Sequence, residues 1–410
     1  MKQRIRCVFV VVVAFVLVLT LAACSVSSGS GDVATAGDTG GGTTTAAGDS
    51  GGGGKNVIYV MTPTATHGWN GQCAAFAMRW VDEINAAGGE YSAQHWVSKS
   101  GAEVNDQIDQ LISNNDAAGL VINAMDDDAA SGQMRIYDAG IPWISCARII
   151  DSMVEYALIN VTGDNPGCGA FCAAWLVEKG FKPGDTLVQF TGATNTDATW
   201  RSDGYYDFLL GTEVWGDKDG TITTIEDIGT KWTQEQVDAL KNGNNYFNYV
   251  CDWSNDKAKG YIESDMQTWV ASAESTGGRI FFNSQDDEMT MALIESLASN
   301  VFSDDLKQRV EALDLYCTGV GGMEELYEIM RGNDANLTPI VEQYFDGLVS
   351  GFMSPAMILD ATGMMFDYLN DPDGFWDLHG VVEHEIWAPP VWAVDSSNAK
   401  DVRGFDGRGG

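Results

Sequence analysis

The chain has 410 residues, with 58 acidic against 23 basic side chains and a formal charge of −35. So acidic a chain is excluded as a general nucleic-acid binder, because the phosphate backbone is recruited by an excess of Lys and Arg. Its length is too great for one small core and suits two lobes of ordinary size.

Lys2, Arg4 and Arg6 form a basic start, residues 8–21 are an apolar run too short for a comfortable membrane span, and Leu21-Ala-Ala-Cys24 follows. This is the lipobox pattern. Residues 1–23 are expected to be a lipoprotein signal peptide and Cys24 the lipid-bearing N-terminus; an uncleaved anchor helix is the alternative. Residues 24–55 are mostly Gly, Ser, Thr, Ala and Asp, hold almost nothing to bury, and are expected to be a disordered tether. Loss of the leader's basic residues takes the formal charge from −35 to −38. That charge reads as solubility in the cell envelope in preference to capture of a cation.

Residues 56–61 read as a first strand. After a loop over 62–71, Phe76, Met78, Trp80, Val81 and Ile84 give residues 73–85 an apolar helical stripe that ends at Gly88-Gly89. Ile108, Leu111 and Ile112 again stand at helical spacing, and residues 118–123 are a short apolar run leading into Asp126, Asp127 and Asp128. A second amphipathic segment closes at Asp138-Ala-Gly140, where glycine can end a helix, and residues 141–146 read as the next strand. Strands alternating with helices at this pitch predict a parallel sheet with right-handed crossovers, whose ligand sits beyond the carboxyl ends of the strands. Asp126–Asp128 and Ala147-Arg148 fall there.

The run LVINAMDDDA, followed by DAGIPWIS, resembles the type I (ribose/galactose-type) solute-binding proteins of bacterial ABC importers. In that family a strand ends in an acidic di- or tripeptide, a helix follows, and AGIP opens the next strand. The resemblance extends over about residues 56–400. It implies an α/β fold of two lobes, each a parallel sheet flanked by helices, joined by three hinge crossings. An N-terminal lobe is expected over 56–162 plus 343–385, a C-terminal lobe over 163–342, and a closing strand and tail over 386–410. Residues 161–165 resemble the family's VGTDN crossing, so the first hinge is placed there.

The same resemblance implies ligand-binding residues. His67 falls on the polar position of the first loop, Trp69 on its first aromatic and Asn70 where a second aromatic often lies; Trp69 could equally cap the lobe's core. Asp126 belongs to the acidic strand end, and Arg148 matches the arginine of the next one. Arg201 stands just ahead of Gly204-Tyr205 where the family has a sugar-binding arginine before a helix. A guanidinium is a planar multiple donor that can bridge adjacent hydroxyls. Residues 217–248 look like an insertion, after which a strand over 246–251 leads to Trp253, the expected second stacking face. Trp232 is the weaker candidate. Asp286 takes the place of the usual ligand-binding asparagine, with Asp287 and Glu288 serving the helix N-terminus. Residues 339–343 resemble a strand that places Glu342 in the cleft, and a helix over 344–353 would return the chain to the first lobe. Ala147 and Val320 replace two aspartates of the family, a departure from an ordinary ribose or galactose pocket.

Of eight cysteines, two lie in the leader and lipobox; Cys73, Cys146, Cys168, Cys172, Cys251 and Cys317 are expected to be buried free thiols. Cys168 and Cys172 lack a matching pair for zinc, and His379, Glu383 and His384 do not match metalloprotease spacing, so no metal or cofactor is expected. The expected function is capture of a small sugar or polyol and delivery to a membrane ABC permease by a lipid-anchored, extracytoplasmic monomer that is not an enzyme. Three alternatives stay open. One is a sensory input to a receptor or kinase. Another is a binder of a cationic ligand such as an amino-sugar. The third is an extracellular enzyme, hinted at only by the His-bearing segment 362–384.

Overall fold

The computed structural model describes residues 54–65 and 68–404. The signal peptide, the lipobox Cys24, nearly all of the tether and His67 lie outside the described residues.

Strands β1 (Val57–Pro63), β2 (Ser92–Ser98), β3 (Ala117–Ile122), β4 (Trp143–Cys146) and β5 (Ile159–Val161) come first in the chain. Then follow β6 (Thr186–Thr191), a short hairpin of β7 (Trp215–Gly216) and β8 (Ile222–Thr223), β9 (Tyr246–Val250), β10 (Arg279–Ser284), β11 (Asp314–Gly321) and β12 (Gly347–Phe352). Two short strands close the chain, β13 (Ile386–Trp387) and β14 (Trp392–Val394). The first sheet has the order β13-β5-β4-β3-β1-β2 and is parallel throughout. The second has the order β14-β12-β11-β10-β6-β9, parallel except for β14 on β12. Both sheets thus repeat one winding, with the strand order reversing between the first strand and its neighbour.

Alternation along the strands builds two cores per sheet, as period-2 side chains must. In β1, Ile58 and Val60 pack toward the helices Gly68–Ala87 and Met357–Asn370, while Val57, Tyr59 and Met61 face Gly101–Asn114 and Ala130–Asp138. In the second sheet Phe282 packs toward Asn255–Thr276 and Asp287–Ala298, while Phe281 faces Asn165–Glu178 and Thr196–Leu209. The chain crosses between sheets three times: after β5, after β12 and between β13 and β14.

Two sequence expectations are corrected. Residues 339–343 are not a strand: Pro339 sits in the first turn of a helix, Thr338–Tyr344. A proline at that place has no hydrogen bond to lose. The segment after it is strand β12 of the second sheet, not a helix returning to the first, so the return falls after Phe352. Gly347 and Gly351 let β12 into its place, because a Cβ on them would lie 2.8 Å from the Trp175 ring and 2.9 Å from Val391. The insertion's Trp232 is buried and stacks on Phe181 at 5.3 Å, away from the cleft. The hairpin strand at its edge carries Trp215, whose Nε1 donates to Val391 O at 3.0 Å on the third crossing.

The six cysteines of the described chain are free and buried. Burial pushes the thiols of Cys73, Cys168, Cys172, Cys251 and Cys317 up to about 12. None is a nucleophile at neutral pH.

Candidate ligand-binding cleft

A cavity of about 330 Å³ lies where the carboxyl ends of both sheets face one another. Its volume is at the small end of the range for small-molecule sites, roughly 300–1,000 Å³. The first lobe supplies Trp69 and Asn70 after β1, Asn123, Ala124 and Met125 after β3, and Ala147 and Arg148 after β4. The second supplies Asp197 and Arg201 after β6, Asp252 and Trp253 after β9, and Asp286 after β10. Thr162, Gly163 and Asn165 of the first crossing and Met353 and Met357 of the second form the hinge side. These are the strand ends next to the order reversals, where parallel sheets leave a crevice.

Arg201 organises the second lobe's wall. It is 5% exposed, and Nε donates to Asn165 Oδ1 at 2.8 Å while its two other nitrogens reach the Gln285 carbonyl and, at 3.4 Å, Met353 Sδ. The arginine is thereby tied to the first crossing, the end of β10 and the second crossing. Its helix can come this close because two glycines face each other: a Cβ on Gly169 would lie 2.0 Å from Arg201 O, and one on Gly204 2.1 Å from Pro166 O. The Arg201 guanidinium also lies 5.1 Å from the Trp253 ring centre. Trp253 is half-buried and rests on Gly192, where a Cβ would fall 2.1 Å from its ring. Asp252 and Trp253 both take positive φ, 50° and 59°, so the turn that presents the indole is a strained one for side-chain-bearing residues.

Across the cavity, Arg148 donates to Met125 O at 2.6 Å. Asp197 accepts from Asn165 Nδ2 at 3.2 Å. Burial pushes its carboxyl up to about 6, against the opposing charges of Arg148 and Arg201. Trp69 is 7% exposed and its Nε1 donates to Met353 O at 3.0 Å, so it both lines the cavity and fills the core beneath it. Gly68 N reaches Glu288 Oε1 of the other lobe at 3.4 Å, a contact that spans the mouth.

The structure therefore brings together Trp69, Asn70, Arg148, Arg201, Trp253 and Asp286. Two residues named from the sequence do not join them. Asp126 bonds Gly101 N at 2.9 Å and Asp128 N at 3.0 Å, capping two helical turns, and the cleft takes Asn123–Met125 just before it. Glu342 is exposed on the helix Thr338–Tyr344 and does not line the cavity. Residues that sequence reasoning missed are Asn123, Thr162, Asn165, Asp197, Asp252, Met353 and Met357. Asp197 had a signal, since it stands one helical turn before Arg201.

His379 Nε2 lies 3.1 Å from Asp367 Oδ2, and His384 Nδ1 donates to Ala157 O at 2.6 Å. Both imidazoles serve first-lobe packing and neither lines the cleft. Among the described residues no group of three His, Cys, Asp or Glu side chains is placed to hold a metal ion.

Comparison with known proteins agrees with this architecture. The chain is similar in fold to a galactofuranose-binding protein, at 15% identity and a TM-score of 0.57, covering 84% of this chain and 96% of that one. It is similar to a Bacillus halodurans ABC transporter solute-binding protein with bound myo-inositol, at 15% identity and 0.56, covering 86% and 98%. A Chloroflexus aurantiacus carbohydrate transporter solute-binding protein in complex with D-glucose is similar at 19% identity and 0.57, covering 84% and 94%. No curated protein matches the sequence. Residues 58–333 match the model of the periplasmic binding protein domain, and with both sheets wound alike around one interlobe cleft, the chain belongs to the type I, ribose/galactose-type periplasmic binding proteins.

Proposed function

We propose that the protein is an extracytoplasmic lipoprotein that captures a small sugar or polyol between its lobes and hands it to an ABC importer. The observation that carries this is the cleft itself. Two indoles and two guanidiniums converge with Asn, Thr and Asp side chains on a cavity of monosaccharide size. Apolar ring faces pack against sugar C–H groups, and planar donors and carboxylates bond the hydroxyls. Solute-binding proteins of the same fold with bound myo-inositol and D-glucose support this ligand class. Lobe closure is the output: a ligand touching both walls favours the closed form, which a permease can distinguish from the open one.

Capture is tested by calorimetric titration of the purified protein with D-glucose, L-arabinose, D-fucose, myo-inositol, glycerol and glucosamine. One neutral ligand should bind, and Trp253→Ala should weaken it about tenfold to a hundredfold, the value of losing a stacked aromatic and its burial. Binding of glucosamine alone would overturn the neutral-sugar reading, and unaltered binding by Trp253→Ala would place the ligand elsewhere. Anchoring through Cys24 is tested separately by metabolic labelling with palmitate, which Cys24→Ala should abolish.

A further inference from the structure

Asp286 and Asp287 are consecutive carboxyl groups at the end of β10, and their surroundings differ sharply. Asp287 is fully enclosed, in space that Gly319 leaves open: a Cβ there would lie 2.3 Å from Asp287 Oδ1. It accepts from Gly322 N at 2.7 Å, Met323 N at 2.9 Å and Ser350 Oγ at 2.8 Å. Burial raises the Asp287 carboxyl too, and these three donors, with the charge of Arg201, pull it back toward the ionised form. Asp286 is 8% exposed and lines the cleft. It accepts one backbone bond, from Glu288 N to Oδ1 at 2.9 Å. The hydrogen bonds of the neighbouring Arg201 run elsewhere, to Asn165, Gln285 and Met353.

Two adjacent carboxyl groups out of water cannot both ionise cheaply, and the one with fewer donors keeps the proton. Burial first, and then the charge of Asp287, push the Asp286 carboxyl well above the usual carboxylate range. The charged groups around it are Asp287 and Glu288 on its own segment and Arg201 and Asp197 on the helix Thr196–Leu209. Asp252 lies beyond β9, and Arg148 stands on the first lobe. Asp286, Asp287 and the groups that hold Asp287 all belong to the second lobe, so their relation does not depend on closure.

We propose that Asp286 meets the ligand as a neutral carboxyl group, donating an O–H hydrogen bond to a ligand oxygen as well as accepting one, and so selects a neutral polyhydroxyl ligand over an amine. The proposal rests on the capture reading above. A neutral carboxyl group has the donor and acceptor of a carboxamide, so aspartate here does the work of an asparagine while Asp287 keeps the buried charge.

Two measurements on the whole protein test it. The first needs no ligand: carboxyl ¹³C resonances of aspartate-labelled protein are followed with pH, Asp286 being assigned by its loss in Asp286→Asn. Asp286 should be protonated at neutral pH while Asp287 is ionised; an Asp286 already ionised in mild acid overturns the proposal. The second repeats the titration with D-glucose, L-arabinose, D-fucose and myo-inositol across pH. Affinity for the sugar that binds should fall about tenfold per pH unit above the Asp286 titration, the limit for one proton. Asp286→Asn should bind within about threefold of wild type and lose that fall, while Asp286→Leu should lose about tenfold to a hundredfold from an unmet hydrogen bond. The titration of Asp197 is common to wild type and Asp286→Asn and drops out of their comparison. Asparagine as damaging as leucine, or glucosamine bound more tightly than glucose, overturns the proposal. If no sugar binds, the capture reading fails, and the carbon resonances still decide the state of Asp286.

Discussion

Replacing Gly204 by alanine tests whether the approach of two helix backbones sets the cleft. The added Cβ would lie 2.1 Å from Pro166 O and 2.7 Å from Pro166 C, and ordinary contact begins at 3.4 Å. Those are backbone atoms at the start of the helix Asn165–Glu178, so no flexible side chain can yield and the helices must part by more than an ångström. Overpacking of this kind costs about 1–3 kcal/mol. Alanine recovers about 1 kcal/mol of helix propensity, which leaves a net loss of roughly 0–2 kcal/mol. Gly260 provides the opposite case: it is exposed on the helix Asn255–Thr276 and a Cβ there meets nothing within 4 Å. Gly260→Ala should therefore stabilise by about 0.5–1 kcal/mol. The functional consequence follows from Arg201, one turn before Gly204. Its 2.8 Å bond to Asn165 Oδ1 cannot survive a displacement of that size. Sugar affinity should fall about tenfold, the worth of one misplaced charge-assisted bond. Urea unfolding followed by tryptophan fluorescence reads the stabilities, and calorimetry reads the binding. A Gly204→Ala protein that unfolds at the wild-type midpoint and binds sugar unchanged would refute the reasoning.

Other expectations follow from single contacts. Asp287→Ala strips partners from Gly322 N, Met323 N and Ser350 Oγ in a closed space, and should cost about 3–5 kcal/mol in urea unfolding; a loss below the surface-residue range would contradict its role. Glu342→Ala should leave sugar affinity unchanged and stability within about 0.5 kcal/mol, because its side chain is exposed; a loss of binding would return Glu342 to the cleft. Asp197 holds its proton in the folded state up to about 6, against an ordinary value of 3.8. Its folded form is the better proton binder, so its contribution is full below about 3.8 and is lost as pH rises to about 6. Asp197→Asn should flatten that part of the pH dependence of the urea midpoint, and equal slopes in the two proteins would contradict the burial argument.

The alternation of strands and helices made the parallel sheets legible, because a strand buried on both faces reads as an apolar run in any setting. Residues 118–123 and 141–146 are such runs, and β3 and β4 stand there. β2 was not legible. It is an edge strand whose Gln94 and His95 interrupt the apolar pattern, and its place follows from pairing with β1. β12 was misread because the cue lay in other parts of the chain. Gly347 and Gly351 look merely permissive in sequence, and only Trp175, Phe171 and Val391 explain them by occupying the space a side chain would need. Pro339 is a local cue for a helix start, and the resemblance to a strand passes over it. In the cleft, Arg148 and Trp253 were legible because each follows a strand end beside a recognisable pattern, and Arg201 because it stands just ahead of Gly204-Tyr205 in the helix after β6. Asp126 stands at a strand end too. An aspartate there has two uses, ligand or cap, and two free backbone N–H groups decided for the cap.

The repeated winding explains why one cavity can answer to both lobes. Each sheet reverses its order next to its first strand, and the two reversals face each other, so residues after β1, β3 and β4 oppose residues after β6, β9 and β10. Charge is divided unequally across that gap. The second lobe brings Asp197, Asp252 and Asp286 with Arg201, while the first brings Arg148 and no carboxylate to the lining. Arg148 acts on Asp197 from the opposite wall, lowering a carboxyl group that burial raises. That pair belongs to opposite lobes, whereas Arg201 is tied to its own lobe and to the crossings. With Asp286 neutral, as proposed above, Asp197 and Asp252 are left facing Arg201 of their own lobe and Arg148 of the other. A ligand that lies between them, neutral and rich in hydroxyls, can bond both sides without disturbing the balance, whereas a cation would compete with Arg148 for Asp197 and weaken the attraction that draws the walls together.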